Sequence, residues 1–308
     1  MVIGNRQFLK CIYEPVLALL LVFVLYVPSS LAGVIYENPV ENELGRELLN
    51  TTFDELLEEA EKDIDDECVI KSQYLLGVVY LNGDDDWGVD RNPRKAGEYL
   101  IKSWENGGVD SGYLLAKMYY QGIGFDKDND EALRYLSDSA EMGFLRSQRD
   151  LGRAYLGYYD DWKGLVQQNT EKAILWLEKA ASAGDLKSAR ELAQVYYSGD
   201  LLPQNNETAF DWLKKSSESK YGVDPLAFDS LAMFYEKGIG TEKDLVQAYK
   251  YYDLTSPAGD DDKARVAKEM TQEQIDEAVR QSRAWQEEHN TFVPSYDGLE
   301  YQEDGSFR

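Results

Sequence analysis

One short pattern recurs five times in this 308-residue chain: YLLGVVYLNG around Gly77, YLLAKMYYQG around Ala116, RDLGRAYLGY around Gly152, RELAQVYYSG around Ala193 and DSLAMFYEKG around Ala232. The central residues lie 39, 36, 41 and 39 positions apart. Each copy has Leu, then Gly or Ala, then Tyr three residues on. Four copies add Gly three residues later; Tyr158 stands there in the third. A period of this size is the mark of a stacked array, in which one unit cannot bury its apolar faces alone.

A second element follows each first one. Ala96, Ala132, Ala173, Ala209 and Ala248 each have an aromatic three residues on, namely Tyr99, Tyr135, Trp176, Trp212 and Tyr251. That spacing places each pair on one helical face. In four copies a glycine stands eleven residues past the alanine, at Gly107, Gly143, Gly184 and Gly259, and is expected to form a left-handed helix end. Each unit therefore reads as helix, turn, helix.

These motifs resemble Sel1-like repeats. Lys172-Ala173, Trp176 and Lys179-Ala180-Ala181 of the third copy match the second-helix pattern best. The resemblance spans roughly Ser72 to Trp285 and implies an all-α, right-handed α/α solenoid of about five helix-turn-helix repeats with helical caps. It implies repeats over 71–260. Around them, the leucine spacing of Glu41 to Cys68 suits N-terminal capping helices within 33–70, and Thr271 with Gln274 forms a capping box inside a C-terminal cap over 261–289. Residues 290–308 lack periodicity and read as an irregular tail.

The first 32 residues differ from the rest. Arg6 and Lys10 precede the apolar run Val16 to Val27, and Ser30-Leu31-Ala32 closes the segment, which is the layout of a cleaved export signal. Twelve apolar residues rise about 18 Å as a helix, too short for the roughly 30 Å hydrocarbon core, so no permanent membrane span is expected. Val34 stands where a lipidated cysteine would be needed. Export to the periplasm is the expectation. Cys11 would leave with the signal, and Cys68 would stand as a lone, small core residue.

Charge narrows the partner. The chain has 32 basic against 57 acidic residues, a formal net charge of −25. Such a field repels nucleic acid and anionic lipid and draws in basic proteins.

Enzymatic constellations are thin, and no catalytic residue, cofactor or metal site is assigned. Gly122 and Gly238 occupy equivalent turn positions, so the G-x-G of MYYQGIGFDKDND is punctuation and no phosphate cradle. Asp126, Asp128 and Asp130 begin like a calcium loop, but Glu131 and Ser137 stand where glycine and a bidentate glutamate are needed. Asp128 or Asp130 is instead expected to cap the next helix. His289 is the single histidine. Ser217-x-x-Lys220 spells the S-x-x-K of penicillin-recognising enzymes, without K-T-G or S-D-N beside it.

Two turns are longer than the others. The interval from the small residue to the second-helix alanine is 16 in copies two, four and five, 19 in copy one and 21 in copy three. Both long turns contain Asp-Asp-Trp, and the candidate partner-binding residues are Asp84, Asp85, Asp86, Trp87, Tyr158, Tyr159, Asp160, Asp161 and Trp162. The competing expectation is that each tryptophan tucks against its own repeat. The family resemblance implies a protein-binding scaffold. Its specific form is expected to be an immunity protein inhibiting a basic secreted effector, such as a phospholipase of a type VI secretion system. The alternatives are an envelope signalling regulator and, on the S-x-x-K match, a hydrolase.

Overall fold

The structure, a computed structural model, describes residues 33–36, 43–62, 66–219 and 222–296. The chain divides into two compact units: Met1–Glu37 with Asn42–Phe144, and Asn38–Glu41 with Leu145–Arg308. The first contains α1 (Glu43–Leu48), α2 (Phe53–Ala60), α3 (Glu67–Asn82), α4 (Pro93–Glu105), α5 (Val109–Gln121) and α6 (Asn129–Glu141). The second contains α7 (Leu145–Leu156), α8 (Thr170–Ser182), α9 (Leu186–Ser198), α10 (Asn206–Ser217), α11 (Pro225–Lys237), α12 (Leu245–Leu254), α13 (Asp260–Ala267) and α14 (Gln272–Glu288). The fold class is all-α, and among the described residues a short hairpin pairs β1 (Glu218–Ser219) with β2 (Gly222–Val223).

The repeated small residues set the helix spacing. A Cβ placed on Gly77 would lie 2.6 Å from Leu100, and one on Gly152 would lie 2.8 Å from Leu177, so a larger residue needs the second helix to move. The second-helix alanines Ala96, Ala132, Ala173, Ala209 and Ala248 are all fully buried. The repeated aromatics fill the space beside them. Tyr80 stacks on Tyr99, Tyr119 on Tyr135 and Tyr235 on Tyr251, with ring centroids 5.8, 5.7 and 5.9 Å apart.

A backbone clamp makes the helix pair independent of turn length. The residue before each second helix is Asn92, Asp128, Asn169, Asn205 or Asp244, and its side chain accepts from the first-turn amides. Its own N–H donates to the carbonyl of the repeated first-helix tyrosine: Tyr80, Tyr119, Tyr155, Tyr196 or Tyr235, at 2.7 to 3.0 Å. Eight, eleven or thirteen residues of intervening chain reach the same two-point closure.

The structure corrects several local readings. In the third repeat the left-handed turn falls on Gly157 (φ 75°), one residue before Tyr158, because α7 stops a residue early. Gly107, Gly143 and Gly184 adopt φ near 100°, as helix ends require, but Gly259 has φ −85° and begins α13. The short helix α13 has no counterpart in the sequence reading, its three leading aspartates having masked the apolar spacing. Cys68, expected to be a lone thiol, is disulfide-bonded, and no other cysteine falls among the described residues. The capping boxes Thr52–Glu55 and Thr271–Gln274 both form. The export signal (residues 1–32) lies outside the described residues, as does all but the first part of the tail. Among the described residues no helix is long and apolar enough to cross a membrane.

Candidate protein-binding surface

The two long turns belong to different units and are built differently. In the first unit Asp84 pairs with Val89 as an antiparallel bridge, and its carboxylate accepts from the Trp87 amide at 2.9 Å. The Trp87 ring is half-buried against Phe53 of α2, with centroids 6.0 Å apart. Trp87 thus joins the N-terminal helix to the first repeat. Asp85 and Asp86 at the tip face solvent.

In the second unit Asp160–Trp162 forms a 3-10 turn whose tryptophan points inward. Trp162 is 2% exposed, and its indole N–H donates to the Asp150 carboxylate at 3.2 Å. The half-buried Tyr159 ring lies 3.9 Å from the Arg153 guanidinium, and Asp161 pairs with Arg153 at 3.5 Å. Tyr158, 52% exposed, and Asp160 remain at the surface. Both tryptophans are therefore internal braces. The exposed part of the candidate set is Asp85 and Asp86 in one unit and Tyr158, Asp160 and Asp161 in the other.

Beneath the second turn lies a charged network that sequence reasoning missed. Arg149 donates to Asp185 at 2.9 Å, and Arg153 pairs with Glu191 at 3.2 Å while also facing Asp150. Asp185 divides its work: Oδ2 caps α9 at Ser188, and Oδ1 receives Arg149. Asp224 is arranged similarly one repeat later, with Oδ1 capping α11 at Leu226 and Oδ2 ion-paired with Arg190 at 3.1 Å. Burial pushes the Glu191 carboxyl up to about 7, against the pull of Arg153 and Arg149. The sequence did hold a sign of this: arginine three residues before the small residue in copies three and four, and aspartate eight before it in copies four and five.

The remaining chemical motifs resolve into structure. Asp128 caps α6 by accepting from Asp130 and Glu131. Among the described residues no three His, Cys, Asp or Glu side chains gather as metal ligands. Ser217 is buried and donates to the Lys214 carbonyl, while Lys220 lies outside the described residues. His289 ends α14 and stacks on Trp285 at 4.1 Å.

The Sel1 repeat family model matches residues 70–108, 110–144, 145–185, 186–221 and 230–256. Among solved structures the chain is similar to c5321, a protective antigen of uropathogenic Escherichia coli with an SLR fold. The two are 27% identical with a TM-score of 0.55, over 71% of this chain and 46% of that one. It is similar at 17% identity and a TM-score of 0.42 to immunity protein Pa5087 of Pseudomonas aeruginosa, over 72% of this chain and 84% of that one, a likeness too loose to bear on function. Among curated proteins it is 38% identical over 60 residues to Activator of C kinase protein 1 of Saccharomyces cerevisiae, over 20% of this chain and 10% of the yeast protein. The chain thus spans less than half of c5321 and a tenth of the yeast relative.

Proposed function

The chain belongs to the Sel1 repeat family, and from that premise we propose that this protein-binding scaffold works in the periplasm as an immunity protein. Its partner on this reading is a basic secreted antibacterial effector, such as a phospholipase of a type VI secretion system. The observation that carries the reading is the charge: 57 acidic against 32 basic residues. The carboxylates of Asp85, Asp86 and Asp160 stand exposed at turn tips whose tryptophans are anchored within.

An enzyme acting on anionic phospholipid needs cationic groups around its substrate phosphate. An acidic surface that docks there offers carboxylates in place of that phosphate, giving fast association and strong dependence on salt. Rigidly braced turns also lose little conformational freedom on docking.

The test is capture from envelope extract on immobilised protein at low and high salt, with bound proteins identified by mass and assayed for lipase activity. A basic lipase released by salt and inhibited by the protein supports the reading. Capture of a sensor protein in its place sinks it in favour of an envelope regulator. Replacing Asp85, Asp86, Asp160 and Asp161 together by serine is expected to weaken effector affinity by about tenfold at low salt and to flatten its salt dependence.

A further inference from the structure

We propose that Tyr158 and Asp200, carried on adjacent repeats of the second unit, form a notch that takes an arginine side chain of the partner. The proposal rests on the reading above of an acidic scaffold for a basic protein, and it names the partner group read at one place.

The two residues are structural equivalents. Each directly follows a left-handed glycine at the end of a first helix, Gly157 after α7 and Gly199 after α9, with φ 75° and 74°. Equivalent positions of stacked repeats stand side by side, about 10 Å apart. Copies two and five carry Ile123 and Ile239 here, both half-buried, and copy one carries Asp84, whose carboxylate is used on the Trp87 amide. The third and fourth copies turn this residue to solvent: Tyr158 is 52% exposed, and Asp200 is exposed beside it.

Local structure holds both side chains out. Tyr159 has extended backbone (φ −96°, ψ 140°), in which successive side chains point to opposite sides. Tyr159 turns in beneath the Arg153 guanidinium, so Tyr158 turns out. On the next turn the Asp200 amide donates to the Ser198 hydroxyl at 3.3 Å, while Leu201 and Leu202 pack half-buried on the core. Partial burial of the ring, and then the negative field of Asp200, hold the Tyr158 phenol above its ordinary value, in keeping with two side chains that face each other.

The chemistry of the occupant follows from what this chain does with its own rings. Arg134 lies over Tyr135 at 4.0 Å, Arg153 over Tyr159 at 3.9 Å and Lys215 over Trp212 at 4.2 Å. Among the described residues no cation lies over the Tyr158 ring, and Asp200 makes no ion pair. An exposed ring beside an exposed carboxylate is the pairing that a partner's cation completes. A guanidinium suits it better than an ammonium, because its plane stacks on the ring while its edge presents paired N–H groups to the carboxylate.

The isotope-labelled full chain is titrated at low salt with N-acetylarginine amide, a blocked monocation, and followed by NMR. The Tyr158 and Asp200 amides are expected to shift together along one saturation curve, with Nα-acetyllysine amide binding about threefold more weakly. Tyr158→Ala, read at the Asp200 amide, and Asp200→Asn, read at the Tyr158 amide, should each weaken arginine binding by about threefold. Asp229→Asn, which removes an exposed carboxylate elsewhere in the unit, should leave it unchanged. All three positions are exposed, so Tm should hold. Different curves at the two amides, shifts that sodium chloride reproduces at equal concentration, or an arginine affinity that survives both substitutions would each overturn the notch. Its fate is separable from that of the immunity reading. Joint saturation with no basic lipase captured removes the immunity reading alone, and a captured lipase whose affinity is unmoved by Tyr158→Ala removes the notch alone.

Discussion

The joint between consecutive repeats is made of different matter in the two units. In the first, Tyr113 meets Phe144 edge to face at 5.8 Å. Three residues before the small residue and eight before the next one, the second unit has Arg149 with Asp185, and then Arg190 with Asp224. The backbone frame is shared and the physics is not. An aromatic contact responds weakly to pH and salt, whereas a buried ion pair loses most when one partner is removed. Repeat periodicity therefore specifies where a joint sits, and the residues chosen there decide what conditions it senses.

The hardest blow to this comparison should come from Asp185→Ala. It removes the α9 cap and leaves Arg149, 11% exposed, without its nearest carboxylate. A loss of about 4 kcal/mol is expected by urea unfolding, against about 1 kcal/mol for Tyr113→Leu. Equal losses at the two positions would mean that the joints are energetically alike.

Gly152→Leu should cost about 3 kcal/mol, since even its Cβ would press on Leu177 at 2.8 Å. The loss belongs to the shared frame, so Gly77→Leu, pressing on Leu100, should match it. A wide difference would show that the frame itself varies between units.

Glu191 sharpens the contrast through pH. Its carboxyl is raised in the fold to about 7 from an ordinary value of 4.5, so the folded state holds the proton more tightly. That stabilisation is complete below about 4.5 and is lost as pH rises through 7. Between pH 5 and 8 it should remove about 2 kcal/mol of stability. Glu191→Gln should erase that decline, measured as Tm against pH relative to the parent. Tyr113→Leu should leave it intact; a parallel decline in Glu191→Gln would place the titrating group elsewhere.

The smallest effect expected is on an exposed pair. Lys163→Ala removes a partner of Asp160 that is itself 80% exposed, and should change stability by less than about 0.5 kcal/mol.

Much of the frame was legible because it rests on residues with one physical job. Gly77 and Gly152 admit close approach, Ala96 through Ala248 mark the buried face, and Thr271 with Gln274 marks a helix start. The candidate surface was legible only by half. The Asp-Asp-Trp turns were found, but composition cannot say which way a tryptophan points, and both turned inward. Arg149, Arg153 and Glu191 carry no local signal because their partners lie up to about forty residues away. Gly259 misled because a glycine eleven residues past an alanine is equally suited to begin a helix as to end one.

The five cap-to-tyrosine clamps carry a consequence for remodelling the molecule. Because closure is made at the two ends of each turn, the chain between them is free to vary in length, as nature already shows by using three different lengths. The exposed Lys163-Gly164 stretch of the longest turn, where nothing lies within 4 Å of a Cβ on Gly164, is thus a grafting port. A foreign recognition loop spliced there, with Tyr155 and Asn169 kept, would be displayed by an array that continues to fold around it.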